Sequence, residues 1–296
     1  MAISSLKLSD IDERNSAVKK LDMLIAQLAE KTGSAAFCSR DSDVAAARSE
    51  LLDLIPAHFS GVTRWFLPVA SPMPSDGNGR FSAYTTCLAS GAEVAGQKLE
   101  ASIGALKVVV SGSIAFRGHS LTAGDWIWLP AGEIYGFTAE KFGAVLFTVL
   151  PCVPEIETGD RVFGLHNADF SGGFVTSRDP SVAGATVSLG QVEQYAERAA
   201  GVTHSFFPFA PTMPVTDVED GRFLAWLARI EPNTAIPAHV HDLEKLADYK
   251  LVISGSIVCR GKELTAGDWL WAPAGGAYAF TAGDQGALLL AGWPWN

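Results

Sequence analysis

The sequence predicts an all-β fold of two tandem barrels preceded by N-terminal helices. Three observations lead there. From Gly61 onward the chain runs in short apolar–polar alternations, such as Phe81–Leu88, Leu106–Val110 and Trp126–Leu129, the pattern of strands with one buried face. Turn residues punctuate those runs, supplied by 29 glycines and 15 prolines. Above all, the chain repeats itself. Gly61–Pro74 matches Gly201–Pro214 at an offset of 140, and Gly79-Arg80-Phe81 matches Gly221-Arg222-Phe223 at 142. Residues 106–140 match 249–283 at 143, with 22 of 35 positions identical. Identity that high over strand-and-turn sequence means two copies of one β domain.

The chain then divides into an N-terminal helical segment (1–60), a first barrel (61–150), a connector (151–200) and a second barrel (201–296). In the first segment Asp10 and Glu13 have capping-box spacing, and Val18, Leu21, Ile25 and Leu28 recur at helical intervals, so a helix is expected over 1–33, ending at Gly33. It either packs on a barrel or forms a short dimer seam. Residues 32–42 read as a polar loop. A second helix is expected over Asp43–Ile55, with Asp43 as its cap and Pro56 as its stop. The connector carries turn residues and one short helix, 191–199. At that length it is expected to add a strand to a barrel or to cross to a partner subunit.

Composition removes several function classes. The net charge is -10 and no Lys/Arg cluster is longer than Lys19-Lys20, which argues against nucleic acid or an anionic membrane as partner. No apolar run approaches the ~18 residues of a membrane span. Met1–Asp10 lacks the pattern of a secretory signal. Cys38, Cys87, Cys152 and Cys259 show no metal-type spacing and read as buried thiols of a cytoplasmic protein.

One stretch gathers metal-type ligands: Ala238-His239-Val240-His241-Asp242-Leu243-Glu244, continuing through Asp248. On an extended strand His239 and His241 face the same way. Neutral imidazole suits Fe, Zn, Ni and Cu, and two histidines with one carboxylate and open positions form the donor set of non-haem Fe(II) oxygenases.

These residues carry a family resemblance. His239-Val240-His241 with a following acid and Gly255, then Gly267-Asp268 to Pro273-Ala274-Gly275, resemble the two motifs of the cupin superfamily. Gly124-Asp125 to Pro130-Ala131-Gly132 resembles the second motif again, so the chain looks like a bicupin. There is a looser similarity to the cupin-like domain of zinc-binding anti-sigma factors and to cupin dioxygenases that cleave small ketones. The resemblance covers both repeats, about 180 residues, and not the N-terminal segment. It implies jelly-roll (double-stranded β-helix) barrels with a divalent metal between the two sheets. Iron is the leading expectation, with Zn, Ni or Mn as alternatives.

The resemblance also places the ligands. The family's glutamate stands seven residues before the motif glycine, which falls here on Asp248. Glu244, inside a longer loop, is the alternative. The family's fourth ligand, a histidine, falls on Tyr278. The metal set is therefore His239 and His241 with Asp248 or Glu244, and Tyr278 is a ligand, a donor beside the metal or a packing residue.

The first repeat serves as an internal control. At offset 143, His239, His241 and Asp248 fall on Gly96, Lys98 and Ala105, so the first copy has lost its ligands, yet it keeps Tyr135 opposite Tyr278. Asp125 and Asp268 recur and read as turn residues. Trp126, Trp128, Trp269 and Trp271 recur and read as packing. Lys107 and Lys250 recur on the inward face, where each needs a partner. Lys250 could pair with Asp248 or hold an anionic substrate. Tyr278 and Lys250 are the candidate catalytic side chains. His204, which replaces Arg64, is a weaker candidate.

Three functions fit these residues. The first is a metal-dependent Fe(II)-type dioxygenase acting on a small aromatic or carbonyl substrate. The second is a Zn, Ni or Mn isomerase or lyase. The third is a small-molecule binding or sensory module without turnover. A homodimer is expected from the fold class alone.

Overall fold

The computed structural model describes residues 36–46, 61–66, 82–98, 104–130, 133–150, 175–178, 200–206, 224–239, 248–272 and 276–293. The expected helices at 1–33 and 191–199 lie outside the described residues. Among those described, no helix is long and apolar enough to cross a membrane.

Two antiparallel eight-stranded sheets form from the two repeats with the same strand order. In the first, β2 (Val62–Phe66), β3 (Ser82–Leu88), β8 (Ile134–Leu150), β5 (Gly104–Phe116), β7 (Trp126–Pro130) and β9 (Val175–Thr176) follow one another, with β4 (Glu93–Lys98) on β8 and β6 (His119–Thr122) on β5. In the second the order is β10 (Val202–Phe206), β11 (Leu224–Ile230), β16 (Tyr278–Trp293), β13 (Asp248–Cys259), β15 (Trp269–Ala272) and β1 (Phe37–Cys38), with β12 (Ala235–His239) on β16 and β14 (Lys262–Thr265) on β13. The long strands wrap a barrel by bending at bulges. In β13 the pairing with β16 slips between Gly255 and Ile257, and the partner on its other side changes from β15 to β14. Gly255 makes that bend at φ +72°, where an added Cβ would lie 2.0 Å from the Gly286 carbonyl oxygen. Gly112 does the same in β5. The motif glycine is thus a strand bulge, which is why β5 and β13 run beyond the short alternating segments visible in the sequence.

Both two-residue strands come from outside the barrels they complete. The connector adds β9 to β7, pairing Thr176 with Ile127. Residues 32–42, expected as loop, include β1, which pairs Phe37 with Trp271 and Cys38 with Leu270. Tertiary pairing at a sheet edge overrides the polar composition there. A helical turn follows at 42–46. Asp41, not Asp43, starts it: its carbonyl accepts the Ala45 N–H at 2.9 Å.

Residues alternate between two cores. In the first repeat Ala105, Val109, Ile127 and Leu129 face a barrel interior with Phe116, Tyr135 and Phe137. Their neighbours Leu106, Val108, Trp126, Trp128 and Phe147 join a second cluster that also holds Tyr249, Leu251, Trp269 and Trp271 of the second repeat. The Phe147 and Tyr249 rings lie 6.1 Å apart. The four recurring tryptophans are therefore packing residues, buried in the core the two repeats share. Cys38 and Cys259 are buried free thiols, Cys87 is half-buried, and burial pushes the Cys259 thiol up to about 11.

Candidate functional site

Strand β13 opens with Asp248-Tyr249-Lys250. Strand alternation sends Tyr249 into the shared core and puts Asp248 and Lys250 on the other face, inside the second barrel. Both are buried, at 3% and 8% exposure. Burying either charge alone would be costly, and the two are placed to neutralise each other. Lys250 Nζ donates to both Asp248 oxygens, each at 2.6 Å. The ammonium also sits over the Trp226 ring, 5.5 Å from its centroid, and over Tyr278, at 5.3 Å.

Tyr278 opens β16 and pairs directly with His239 at the end of β12. Its hydroxyl donates to Asp248 Oδ2. Burial, then the Asp248 charge and this hydrogen bond, hold the phenol well above its usual range, so Tyr278 is a protonated donor. His239 is half-buried, with Nε2 3.0 Å from the Tyr278 oxygen and Nδ1 2.9 Å from the Pro237 carbonyl oxygen. A carbonyl can only accept, so Nδ1 carries a hydrogen and Nε2 of the neutral ring holds a lone pair. The Tyr278 hydroxyl has one proton and two acceptors, His239 Nε2 and Asp248 Oδ2. A continuous chain results: His239, Tyr278, Asp248, Lys250.

This geometry bears on metal binding in two ways. His239 has Nδ1 on a backbone carbonyl, as metal-ligating histidines usually do, and its Nε2 faces the Tyr278 hydroxyl, a partner that a metal on Nε2 would replace. Asp248 has both oxygens on Lys250, and an ammonium at that distance repels a dication. Among the described residues no three His, Cys, Asp or Glu side chains gather as a metal site. His241 and Glu244 lie outside the described residues. His204 pairs with Ala228 across β10 and β11.

The first barrel shows what sets the second apart. Val94 pairs with Phe137 and Gln97 with Tyr135, as Ile236 pairs with Phe280 and His239 with Tyr278. The counterpart of His239 is therefore Gln97, not Gly96. The one-residue change of offset falls after this strand, between 97 and 105, so alignment at 143 is one residue out here. Ala105 still stands for Asp248. Lys107, at the place of Lys250, donates to the Thr148 hydroxyl at 2.9 Å and to Tyr84 at 3.3 Å. Asp125 and Asp268 are turn residues as expected: each accepts the backbone N–H three positions earlier, from Thr122 at 2.8 Å and Thr265 at 2.9 Å.

Sequence reasoning missed two contributors. Trp226 walls the Lys250 side, and its signal was the aromatic residue Tyr84 at the same place in the first repeat. Ser39 and Arg40 bind Asp268, and their signal was a Ser-Arg-Asp triplet recurring at 177–179.

No family model matches the sequence, and no curated protein matches it. Solved structures do match the fold. One, described as a candidate dioxygenase from Nostoc punctiforme PCC 73102, aligns at a TM-score of 0.52 and 12% identity, over 81% of this chain and 75% of the other. A candidate glyoxylate-induced protein from Pseudomonas aeruginosa aligns at 0.50 and 16%, over 82% of each chain. A salicylate 1,2-dioxygenase from Pseudaminobacter salicylatoxidans aligns at 0.50 and 13%, over 88% and 84%.

Proposed function

The fold of this chain is that of the cupins, and we propose that its second barrel is the active site of a metal-dependent enzyme acting on a small carbonyl or aromatic compound, with dioxygenation as its reaction. The observation that carries the enzymatic reading is the hydrogen-bonded chain His239–Tyr278–Asp248–Lys250. In the first barrel the corresponding residues are Gln97, Tyr135, Ala105 and Lys107. The donor and the cation are kept there, while the histidine and the carboxylate are absent. That pattern fits one working barrel and one supporting barrel.

His239, His241 and Glu244 would hold the ion, because Lys250 already occupies both oxygens of Asp248. A divalent ion held there supplies Lewis-acid polarisation of a substrate oxygen, and iron in addition supplies oxygen chemistry. The remaining work falls to the chain's own side chains. Lys250 keeps Asp248 a carboxylate acceptor. With the ion on His239 Nε2 that ring's one lone pair is spent, so Asp248 is the acceptor that holds the Tyr278 hydroxyl, and the phenol can give its proton to a substrate atom beside it and take one back. Trp226 and the Tyr278 ring shield the ammonium from water. Such a relay suits a substrate that must lose or gain a proton beside a carbonyl. Two of the structurally similar proteins are described as dioxygenases, which supports the oxygen-dependent reading.

The second reading is a metal isomerase or lyase using Zn, Ni or Mn. The relay itself favours it, because proton transfer at carbon needs no oxygen. The test is oxygen uptake by iron-loaded protein with β-diketones and with hydroxyaryl carboxylates such as salicylate. Uptake with product formation supports the dioxygenase. Turnover that persists without oxygen supports the second reading. Ligand binding without conversion in either arm overturns both and leaves a binding module.

A further inference from the structure

Each barrel is closed at one edge by an arm that arrives from outside it, and the two arms use the same residues in the same order. On the second barrel, Ser39 Oγ donates to Asp268 Oδ1 at 2.8 Å and accepts the Trp269 N–H at 3.1 Å. Arg40 donates to Asp268 Oδ2 through Nε at 2.8 Å and through Nη2 at 2.6 Å. On the first barrel, Ser177 Oγ donates to Asp125 Oδ1 at 2.8 Å and accepts the Trp126 N–H at 3.2 Å. Arg178 donates to Asp125 Oδ2 through Nε at 3.1 Å and Nη2 at 2.7 Å. The repeat unit therefore starts at the arm, and the arms are exchanged: residues 36–40 precede the first barrel and dock on the second, while 175–178 precede the second and dock on the first.

What lies behind the two arms differs. Across the second sheet, Cys38 pairs with Leu270 and Leu270 with Lys250, and Asp248 pairs with Ala272 on the same strand. The corresponding line in the first sheet runs Thr176, Ile127, Lys107, with Ala105 at the acid's place. The arm on the second barrel has further holds. Asp41 accepts the Cys38 N–H at 2.8 Å and pairs with Lys262, and Arg260 donates to the Ala36 carbonyl at 2.5 Å.

We propose that Ser39 and Arg40 are positioning residues for the second barrel's site. They fix the Asp268 turn and β15, and through β15 the strand that carries Asp248 and Lys250. The inference rests on the functional reading only in taking the Lys250–Asp248–Tyr278 contact as the working part of the site. It also gives the first repeat a task, since its own leading arm closes its neighbour.

The two barrels provide a matched control within one chain. Arg40→Ala and Arg178→Ala each remove the same bidentate contact to the same kind of turn. The measurement is site-resolved lysine acetylation of the full-length protein, followed by mass spectrometry, with Lys250 and Lys107 as paired reporters. Arg40→Ala is expected to speed modification of Lys250 by about tenfold or more, with Lys107 unchanged. Arg178→Ala is expected to do the reverse. Arg40→Lys, which keeps a cation within reach of Asp268, is expected to return Lys250 toward its original rate. If Arg40→Ala does not fold, Ser39→Ala provides the smaller perturbation with the same expected direction. Equal acceleration of both lysines, or of neither, would overturn the proposal. The readout needs neither metal nor substrate, so the positioning role and the enzymatic reading can fail independently.

Discussion

Lys250 Nζ lies 2.6 Å from each carboxylate oxygen of Asp248, and both side chains are withdrawn from water. A buried pair of this kind is costly to break from one side. Asp248→Ala or Lys250→Met alone should therefore lower unfolding stability by about 3–5 kcal/mol. The double replacement by apolar residues of matching volume should recover most of that loss. Denaturant unfolding of the two singles and the double measures the coupling, and additive losses would mean that the contact is not the organising one.

The Tyr278 hydroxyl joins His239 to Asp248. Tyr278→Phe keeps the ring packing, including its stack with Phe280, and removes only the hydroxyl. Stability should fall by about 1 kcal/mol, the usual worth of a hydrogen bond. Turnover should fall by about 10²–10⁴-fold, the range of a positioned acid–base group. The matched change Tyr135→Phe in the first barrel should leave turnover intact. Equal activity of the two variants would remove Tyr278 from the chemistry.

Much of this was legible in the chain. The repeat and the alternating runs announced two β barrels, and Lys250 was marked as an inward cation in need of a partner. Asp248 shows where reading by sequence stops. The family resemblance makes it the leading candidate for the metal's acid, and the same alternation that turns it inward also turns Lys250 inward, two residues on. Which of the two a carboxylate serves depends on side-chain distances that spacing does not contain. The His239 counterpart was misplaced by one residue for a related reason. Where the offset between repeats changes, only strand pairing locates the extra residue. The strand added by the connector is expected from its length, whereas the N-terminal arm is not, because a two-residue strand has no period of its own.

Gly255 sits at φ +72° with the Gly286 carbonyl in the path of any Cβ, whereas Gly261, at φ +74°, has no atom within 4 Å of that position. Gly261→Ala should lose only the conformational term, about 1–2 kcal/mol. Gly255→Ala should lose that and more, because its clash is with backbone. Thermal unfolding of the pair checks the order, and equal losses would contradict the bulge assigned to β13.

The arms predict an acid limb. Burial alone would raise the Asp268 carboxyl, but the Arg40 guanidinium, the Thr265 N–H and the Ser39 hydroxyl outweigh it and hold it below the usual carboxylate range. Asp125 is depressed in the same way: burial is offset by the Thr122 N–H, Arg178 and Ser177. A depressed carboxylate contributes stability that is fully present above its unfolded value of roughly 4, and is lost as pH falls through the lower folded value. Stability should therefore decline below about pH 4. Asp268→Asn should flatten that decline, which denaturant midpoints over an acid series would show.

The proposed function requires His239 as a metal ligand of the second barrel. Elemental analysis of the purified protein beside the folded double variant His239→Ala/His241→Ala tests that most directly. About one divalent ion per chain is expected in the parent, with most of it lost in the variant. The same metal content in both, with the variant's fold intact by circular dichroism, would contradict it.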